Sequence, residues 1–321
     1  MRTLVVGAGA TGGFFGGRML QAGRDVTFLV RPARAAILAR NGLVIRSPAG
    51  EAVIRNPPTV TADSPGSGYD VVLLGCKAYD LDAAMDDFAA AVGPATAILP
   101  LLNGMRHLDA LVARFGEDRV LGGLCQIAAT LAPDGAIVQM GEMAQTLVFG
   151  ERAGGLSERV RAIAGEMAEA KFVSRASDII VQEMWEKWVL LATLGSATCL
   201  MRASVGDIVQ AGAVDISLGL LDESTAIASA CGYPPREEPM KHYRMLLAAS
   251  GSPMTASMMR DMEGGGRIEA DHIVGDLLAR RPGGDGGPGG GGGDRSLLRI
   301  AYAALRAYEA RRTREAAAKK A

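Results

Sequence analysis

The sequence is poor in the residues that build metal centres and disulfide frameworks. Its 321 residues include four cysteines, Cys76, Cys125, Cys199 and Cys231, and three histidines, His107, His242 and His272. The cysteines are far apart and form no CxxC or other metal spacing, and no histidine has a second histidine or a cysteine at ligand distance. Buried free thiols in a reducing compartment, and no metal site, are the expectation. An excess of one charge sign is also lacking. The formal net charge is −1, which gives neither nucleic acid nor an anionic membrane an electrostatic reason to bind. No apolar run is long and free enough of charge to span a bilayer. Met1 and Arg2 lead straight into TLVVG, without the basic segment, apolar core and cleavage site of a leader, so a cytoplasmic protein is expected. Aromatic residues are scarce, and the only two tryptophans, Trp185 and Trp188, flank Glu186 and Lys187.

What is present suits two ordinary domains, each long enough to bury a core. The 49% hydrophobic and 21% charged content is that of a globular chain, not a disordered one. In the first half, Thr3–Val6, Asp25–Val30, Val71–Cys76 and Ala97–Leu102 read as buried strands, and helical patterns follow the first, third and fourth. That alternation predicts βαβ units and a mostly parallel sheet. Leu43–Arg46 and Ala52–Arg55 read as an inserted hairpin. Val120–Leu124, Ala136–Met140 and Thr146–Phe149 are expected to extend the sheet with an antiparallel portion, followed by an amphipathic helix at Leu156–Ala170.

From about Ser177 the strand signal vanishes and helical patterns take over at Asp178–Leu194, Val205–Cys231, Glu238–Ala248, Ile268–Arg280 and Ser296–Arg314. The expected architecture is an α/β dinucleotide-binding domain of the Rossmann type over residues 1–174, followed by an all-α domain over 175–321. Gly283–Gly293 reads GGDGGPGGGGG, which forms neither helix nor strand at reasonable entropic cost, and is expected to be a flexible loop or linker.

Directly after the first strand comes Gly7-Ala8-Gly9-Ala10-Thr11-Gly12-Gly13. A lone GxGxxG is weak evidence in a chain with 42 glycines, but here it lies between strand and helix. The first glycine permits the tight turn, the second lets backbone approach a pyrophosphate, and the third lets helix pack on strand. Free N–H groups at the helix start then face the phosphates. At the end of the second strand an NAD site usually has Asp or Glu for the ribose 2′-hydroxyl; this chain reads FLVRPAR. Arg31, supported by Arg34, would pair with a 2′-phosphate, with no acid at that point to repel it. NADP(H) is therefore preferred over NAD; the alternative is that both arginines are solvated loop charges.

Lys187, in EMWEKW, is either a lysine snorkelling from a core helix or one whose proton is used. Lys77 ends a probable parallel strand, where open α/β sheets place ligands, or is a surface lysine. Asn103 lies in an Asn-Gly pair, a common turn, between an apolar strand and a helix. Glu269 and Ser257 lie in helical patterns and can be read as ordinary helix residues.

The ordered set GAGATGG (Gly7–Gly13), LVR (Leu29–Arg31), CKAYD (Cys76–Asp80), LLNGM (Leu101–Met105), EMWEKW (Glu183–Trp188), SPMTASMMRD (Ser252–Asp261) and RIEADHIVGDLL (Arg267–Leu278) resembles the ketopantoate reductase (2-dehydropantoate 2-reductase) family over most of the chain. The resemblance implies an NADPH-dependent enzyme of pantothenate biosynthesis that reduces a 2-oxo acid to a 2-hydroxy acid. It implies Lys187 as proton donor, Asn103 in contact with cofactor and substrate, Glu269 in cofactor binding and the active site, and Ser257 at the substrate. The chemistry agrees, because a nicotinamide supplies only hydride and the developing alkoxide needs a proton. A homodimer is compatible with a helical second domain of this size.

Three positions depart from the family pattern, which carries asparagines where this chain has Leu191, Gly195 and Val205. The first two lie one and two helical turns after Lys187, on its face. A leucine cannot make an amide's hydrogen bonds, and a pocket without them discriminates differently. Thr193, Ser196 and Thr198 are candidate substitute hydroxyls. A more apolar 2-oxo acid, or another ketone or imine, would suit Leu191 better; a non-catalytic NADPH sensor is the remaining alternative, and retention of Lys187, Asn103 and Glu269 argues against it.

Overall fold

The computed structural model describes residues 1–141, 145–282 and 296–318. The glycine run at Gly283–Gly293 lies outside the described residues. Two compact units emerge. The first comprises Met1–Leu102 and His107–Val181; the second comprises Asn103–Arg106 and the described residues from Gln182 on.

The first unit opens with β1 (Arg2–Val6), α1 (Ala10–Gln21), β2 (Asp25–Leu29), α2 (Pro32–Asn41), and the strands β3 (Leu43–Arg46), β4 (Ala52–Ile54) and β5 (Thr59–Val60). Next come β6 (Val71–Leu74), α3 (Leu81–Phe88), β7 (Ala97–Pro100) and α4 (Arg106–Phe115). Strands β8 (Gly122–Gln126), β9 (Ala129–Leu131), β10 (Ile137–Gln139) and β11 (Thr146–Gly150), then α5 (Glu158–Met167) and β12 (Val173–Ala176), complete it. The main sheet has the order β5-β2-β1-β6-β7 and every pairing in it is parallel. All four residues of both β6 and β7 are buried, as strands covered on two faces require. The order reverses between β1 and β6, so the loops leaving their C-terminal ends meet at a topological switch point.

The later strands do not extend this sheet, contrary to expectation. Val120 makes one isolated bridge with Ile98; then β8 pairs with β11 in a separate sheet, β12-β11-β8. Edge strand β7 ends in Pro100, which lacks the N–H that a longer ladder needs. The hairpin β3-β4 is present but lies in a third sheet, β4-β3-β10-β9. Helix α1 packs against both the main sheet and this third one: a Cβ at Gly16 would lie 2.8 Å from Val5 and Phe28, and one at Gly17 would lie 2.8 Å from Leu43 and Ile45. The glycine-rich face of α1 thus permits a close approach that larger residues would block.

The second unit is helical: α6 (Ile180–Met201), α7 (Val205–Gln210), α8 (Val214–Ala230), α9 (Glu237–Leu247), α10 (Ser257–Glu263), α11 (Asp276–Ala279) and α12 (Leu297–Ala318). The single helix expected over Val205–Cys231 is two, broken at Gly212, whose φ of +75° ends α7. Ser204 and Asp207 form a capping box at the start of α7. A π-helical turn at Asp271–Gly275 precedes α11. Glu223 accepts hydrogen bonds from the Leu297 N–H (2.6 Å) and the Ser296 hydroxyl (2.6 Å), fixing the start of α12. Among the described residues no helix is long and apolar enough to cross a membrane.

Candidate active site

In the first unit, Gly7 takes φ +91°, a left-handed conformation that glycine adopts without strain. A Cβ at Gly12 would lie 2.3 Å from the Gly7 carbonyl oxygen, whereas one at Gly9 would meet nothing within 4 Å. The third glycine is therefore needed for packing, and the second faces open space where a ligand can approach the backbone. Helix α1 starts at Ala10 with no side-chain cap and no acidic residue in its first turn. Ala10 and Thr11 are partly exposed and Ala8 is buried. Open N–H groups and a positive helix end fit a dinucleotide pyrophosphate.

The loop after β6 adjoins this turn. Gly75 donates its N–H to the Val6 carbonyl (3.0 Å), and a Cβ on Gly75 would lie 2.8 Å from Gly12 Cα. Lys77 follows, partly buried, at the start of a single 3-10 turn.

The two arginines of FLVRPAR separate in role. Arg34 donates from Nε to the Ala8 carbonyl (2.9 Å) and from Nη1 to Gly135 (2.8 Å). Both bonds tie it to main-chain carbonyls, one of them in the glycine-rich turn, and its burial lowers its pKa from the usual arginine value. Arg31 remains two-thirds exposed, but it pairs with Asp80 at 3.2 Å. The expectation that no acid stands at this point is therefore wrong: Asp80 comes from the loop after β6, remote in sequence and adjacent in space.

In the second unit, Lys187 and Asn103 meet. Lys187 Nζ donates to Asn103 Oδ1 at 2.9 Å, and the lysine is partly buried. Trp185 and Trp188, almost wholly buried, pack on one another with centroids 4.9 Å apart. Trp185 also stacks on Tyr233, and Arg280 lies over both indoles. Trp188 Nε1 donates to the Ile273 carbonyl at 2.8 Å. The tryptophans thus anchor α6, while Lys187 is turned to Asn103.

The Lys187 face of α6 continues with Leu191, partly buried, and Gly195, where a Cβ would meet the Met258 methyl at 2.8 Å. Val205 is buried, its N–H donating to the Met254 carbonyl (2.9 Å). Two of the candidate hydroxyls are spent within α6: Thr193 and Thr198 are wholly buried and donate back to Val189 (2.8 Å) and Leu194 (2.7 Å) of their own helix. Ser196 is wholly buried as well. Ser257 is exposed at the start of α10.

Glu269 is partly buried and lies close enough to His272 to act on its charge. His272, which lies in RIEADHIVGDLL three residues after Glu269 but is given no role by the resemblance, is brought against Asn103. It is buried, hydrogen-bonds to the Asn103 main chain, and its pKa is lowered from the usual histidine value. Burial is the main cause and Arg106 adds to it, against the opposing pull of Glu269 and Asp276. Of the four free thiols, Cys125 and Cys199 are buried, while Cys76 and Cys231 are only partly so; burial pushes the Cys199 thiol up to about 12. Among the described residues no group of three or more His, Cys, Asp or Glu side chains could hold a metal ion.

Comparison with known proteins gives two family-model matches: ketopantoate reductase PanE/ApbA over residues 3–154, and its C-terminal domain over residues 179–281. Among curated relatives, an uncharacterized oxidoreductase of Bacillus subtilis strain 168, YkpB, is 35% identical over 282 residues, covering 87% of this chain and 92% of that protein. A 2-dehydropantoate 2-reductase of Mesorhizobium japonicum is 27% identical over 298 residues, covering 85% and 89%. The crystal structure of 2-dehydropantoate 2-reductase from Methylococcus capsulatus matches with a TM-score of 0.82 at 26% identity, covering 97% of this chain and 98% of that one.

Proposed function

Because the chain belongs to the ketopantoate reductase PanE/ApbA family of oxidoreductases, we propose that it reduces a 2-oxo acid to a 2-hydroxy acid with NADPH, Lys187 giving the proton. The observation that carries this reading is the 2.9 Å bond from Lys187 Nζ to Asn103 Oδ1. An ammonium has three N–H donors, and fixing one on an amide oxygen orients the others. A positioned ammonium both polarises a carbonyl and protonates the alkoxide that develops from it.

The cofactor supplies the hydride. Gly7, Ala8, Gly9, Ala10, Thr11 and Gly12 would hold its pyrophosphate through the uncapped start of α1, and Arg31 would hold its 2′-phosphate. Lys77 would serve the cofactor from the loop that adjoins Gly12, together with Asn103 and Glu269. Asn103, Lys187 and Ser257 would bind the substrate.

Ketopantoate, and with it a place in pantothenate biosynthesis, is the substrate to which the similarity to 2-dehydropantoate 2-reductases points; the α6 face supports a more apolar one. Leu191 and the Met258 methyl over Gly195 offer carbon where a hydroxylated substrate would need hydrogen-bond partners. A panel of 2-oxo acids, assayed by loss of NADPH absorbance with ketopantoate among them, tests both points. Higher kcat/KM for a branched or aromatic 2-oxo acid is the expected result. Ketopantoate as best substrate would overturn the apolar reading, and NADPH binding without turnover on any carbonyl would favour a sensor.

A further inference from the structure

The turn that carries Asn103 presents its side-chain oxygen to Lys187 Nζ at 2.9 Å, so where the turn sits decides that contact. Gly104 takes φ +79°, so the turn's shape depends on glycine and its place depends on what it touches. It touches His272. A Cβ on Gly104 would lie 3.1 Å from the His272 carbonyl oxygen and 3.2 and 3.4 Å from its Cδ2 and Nε2, so this backbone lies flat against both the ring and the main chain of the histidine. The ring also hydrogen-bonds to the Asn103 main chain.

His272 is itself held. It lies in the π-helical turn Asp271–Gly275, an irregularity that recurs at functional sites, and the carbonyl of its neighbour Ile273 accepts from Trp188 Nε1 at 2.8 Å. Trp188 adjoins Lys187 in α6. The contacts close a circuit from Lys187 to Asn103, His272, Ile273, Trp188 and back to Lys187. The charged groups acting on the ring are Glu269 before the π turn, Asp276 in α11 and Arg106 at the start of α4.

We propose that His272 is a positioning residue, whose ring and main chain seat the Asn103–Gly104 turn so that Asn103 Oδ1 meets Lys187 Nζ. Its effect on turnover rests on the reading of Lys187 as proton donor; its effect on Lys187 does not. An acceptor displaced by about 1 Å loses most of its hold on the ammonium, and misplacements of that size cost about 10²-fold in rate.

The test uses the full chain with His272→Leu, which keeps volume and removes the donor, and His272→Gln, which keeps a donor. Two profiles are measured against pH: kcat, and the acetylation rate of Lys187 followed by peptide mass spectrometry. In His272→Leu kcat is expected to fall about 10- to 100-fold, and the midpoints of both profiles move down by about one pH unit, the worth of one charge-assisted hydrogen bond. His272→Gln recovers most of both. If the leucine variant does not fold, His272→Met, pliable and without a donor, replaces it. Profiles that superimpose on those of the unmodified chain would overturn the proposal. If Lys187→Ala retains turnover, the proton-donor reading fails, and the acetylation profile alone still decides the role of His272.

Discussion

Substituting Asp80 by asparagine removes the carboxylate that faces Arg31, and the consequence for cofactor choice can be worked from the geometry. The pair is 3.2 Å apart, with Arg31 66% and Asp80 35% exposed, so as an exposed ion pair it contributes about 0.2–1 kcal/mol. A phosphate oxygen on the far side of the guanidinium would stand one further hydrogen bond away, about 6 Å from Asp80. At water-like dielectric each unit charge there is repelled by about 0.7 kcal/mol, roughly halved by screening at physiological salt. For a phosphate carrying about two charges, competition and repulsion together amount to about 1 kcal/mol, or about 5-fold in Kd. Asp80 makes no side-chain cap at the start of α3, so its replacement leaves the fold intact. Fluorescence titration of Asp80→Asn should show NADPH bound about 5-fold tighter, NADH changed less than about 2-fold, and the NADPH gain shrinking as salt is raised. Unchanged or weaker NADPH binding at low salt would refute the reasoning. So would an Arg31→Ala variant that keeps the native NADPH-to-NADH ratio.

Other positions give further tests. Gly12→Ala puts a Cβ 2.3 Å from the Gly7 carbonyl; overpacking of this kind costs about 1–3 kcal/mol, and NADPH affinity in the same titration should fall more than about 10-fold as the loop shifts. Leu191→Asn places an amide one turn from Lys187, and the kcat/KM of a hydroxylated 2-oxo acid relative to an apolar one should rise about 10-fold or more; an unchanged ratio would remove Leu191 from the pocket. Arg236→Leu strips Glu186, only 3% exposed, of two guanidinium bonds of 2.7 Å, at a cost of about 2–4 kcal/mol in urea unfolding at neutral pH. Burial alone would raise the Glu186 pKa, but hydrogen bonds from Arg236 and Gln182 outweigh it and hold it below the usual value. That contribution is present above the ordinary glutamate range and is lost as pH falls through the depressed value, so the gap between native and variant should narrow toward acid. A gap independent of pH would contradict the assignment.

Local periodicity made much of the fold legible. The alternation around Val71–Cys76 and Ala97–Leu102 carries the parallel sheet, and GAGATGG shows much of its own geometry because Gly12 packs on the Gly7 carbonyl, five residues away. Partner choice among later strands was not legible, since Thr146–Phe149 looks alike whether it joins the main sheet or pairs with β8. Asp80 escaped for a similar reason: the charge that matters to Arg31 arrives from another strand's end. Arg34 carries the right charge for a phosphate, yet its bonds go to Ala8 and Gly135, carbonyls distant from it in sequence. A histidine announces itself in sequence by its spacing to other functional groups, and His272 has no histidine or cysteine at ligand spacing. Its partner is a main-chain turn, which leaves no such mark, although a histidine three residues after Glu269 was a signal to weigh. Lys187 and Asn103 each stand in a motif legible from sequence, and their 2.9 Å contact supplies the physical reason to join them.

The central claim is that Lys187 gives the proton that completes hydride transfer to a 2-oxo acid. Single-turnover reduction by preloaded NADPH, compared between the native chain and Lys187→Ala with the best substrate of the panel, tests it most directly, because it isolates chemistry from binding and release. The account predicts a loss of at least about 10²-fold, the low end of general acid catalysis, with NADPH affinity retained. A single-turnover rate in Lys187→Ala equal to the native one would contradict it.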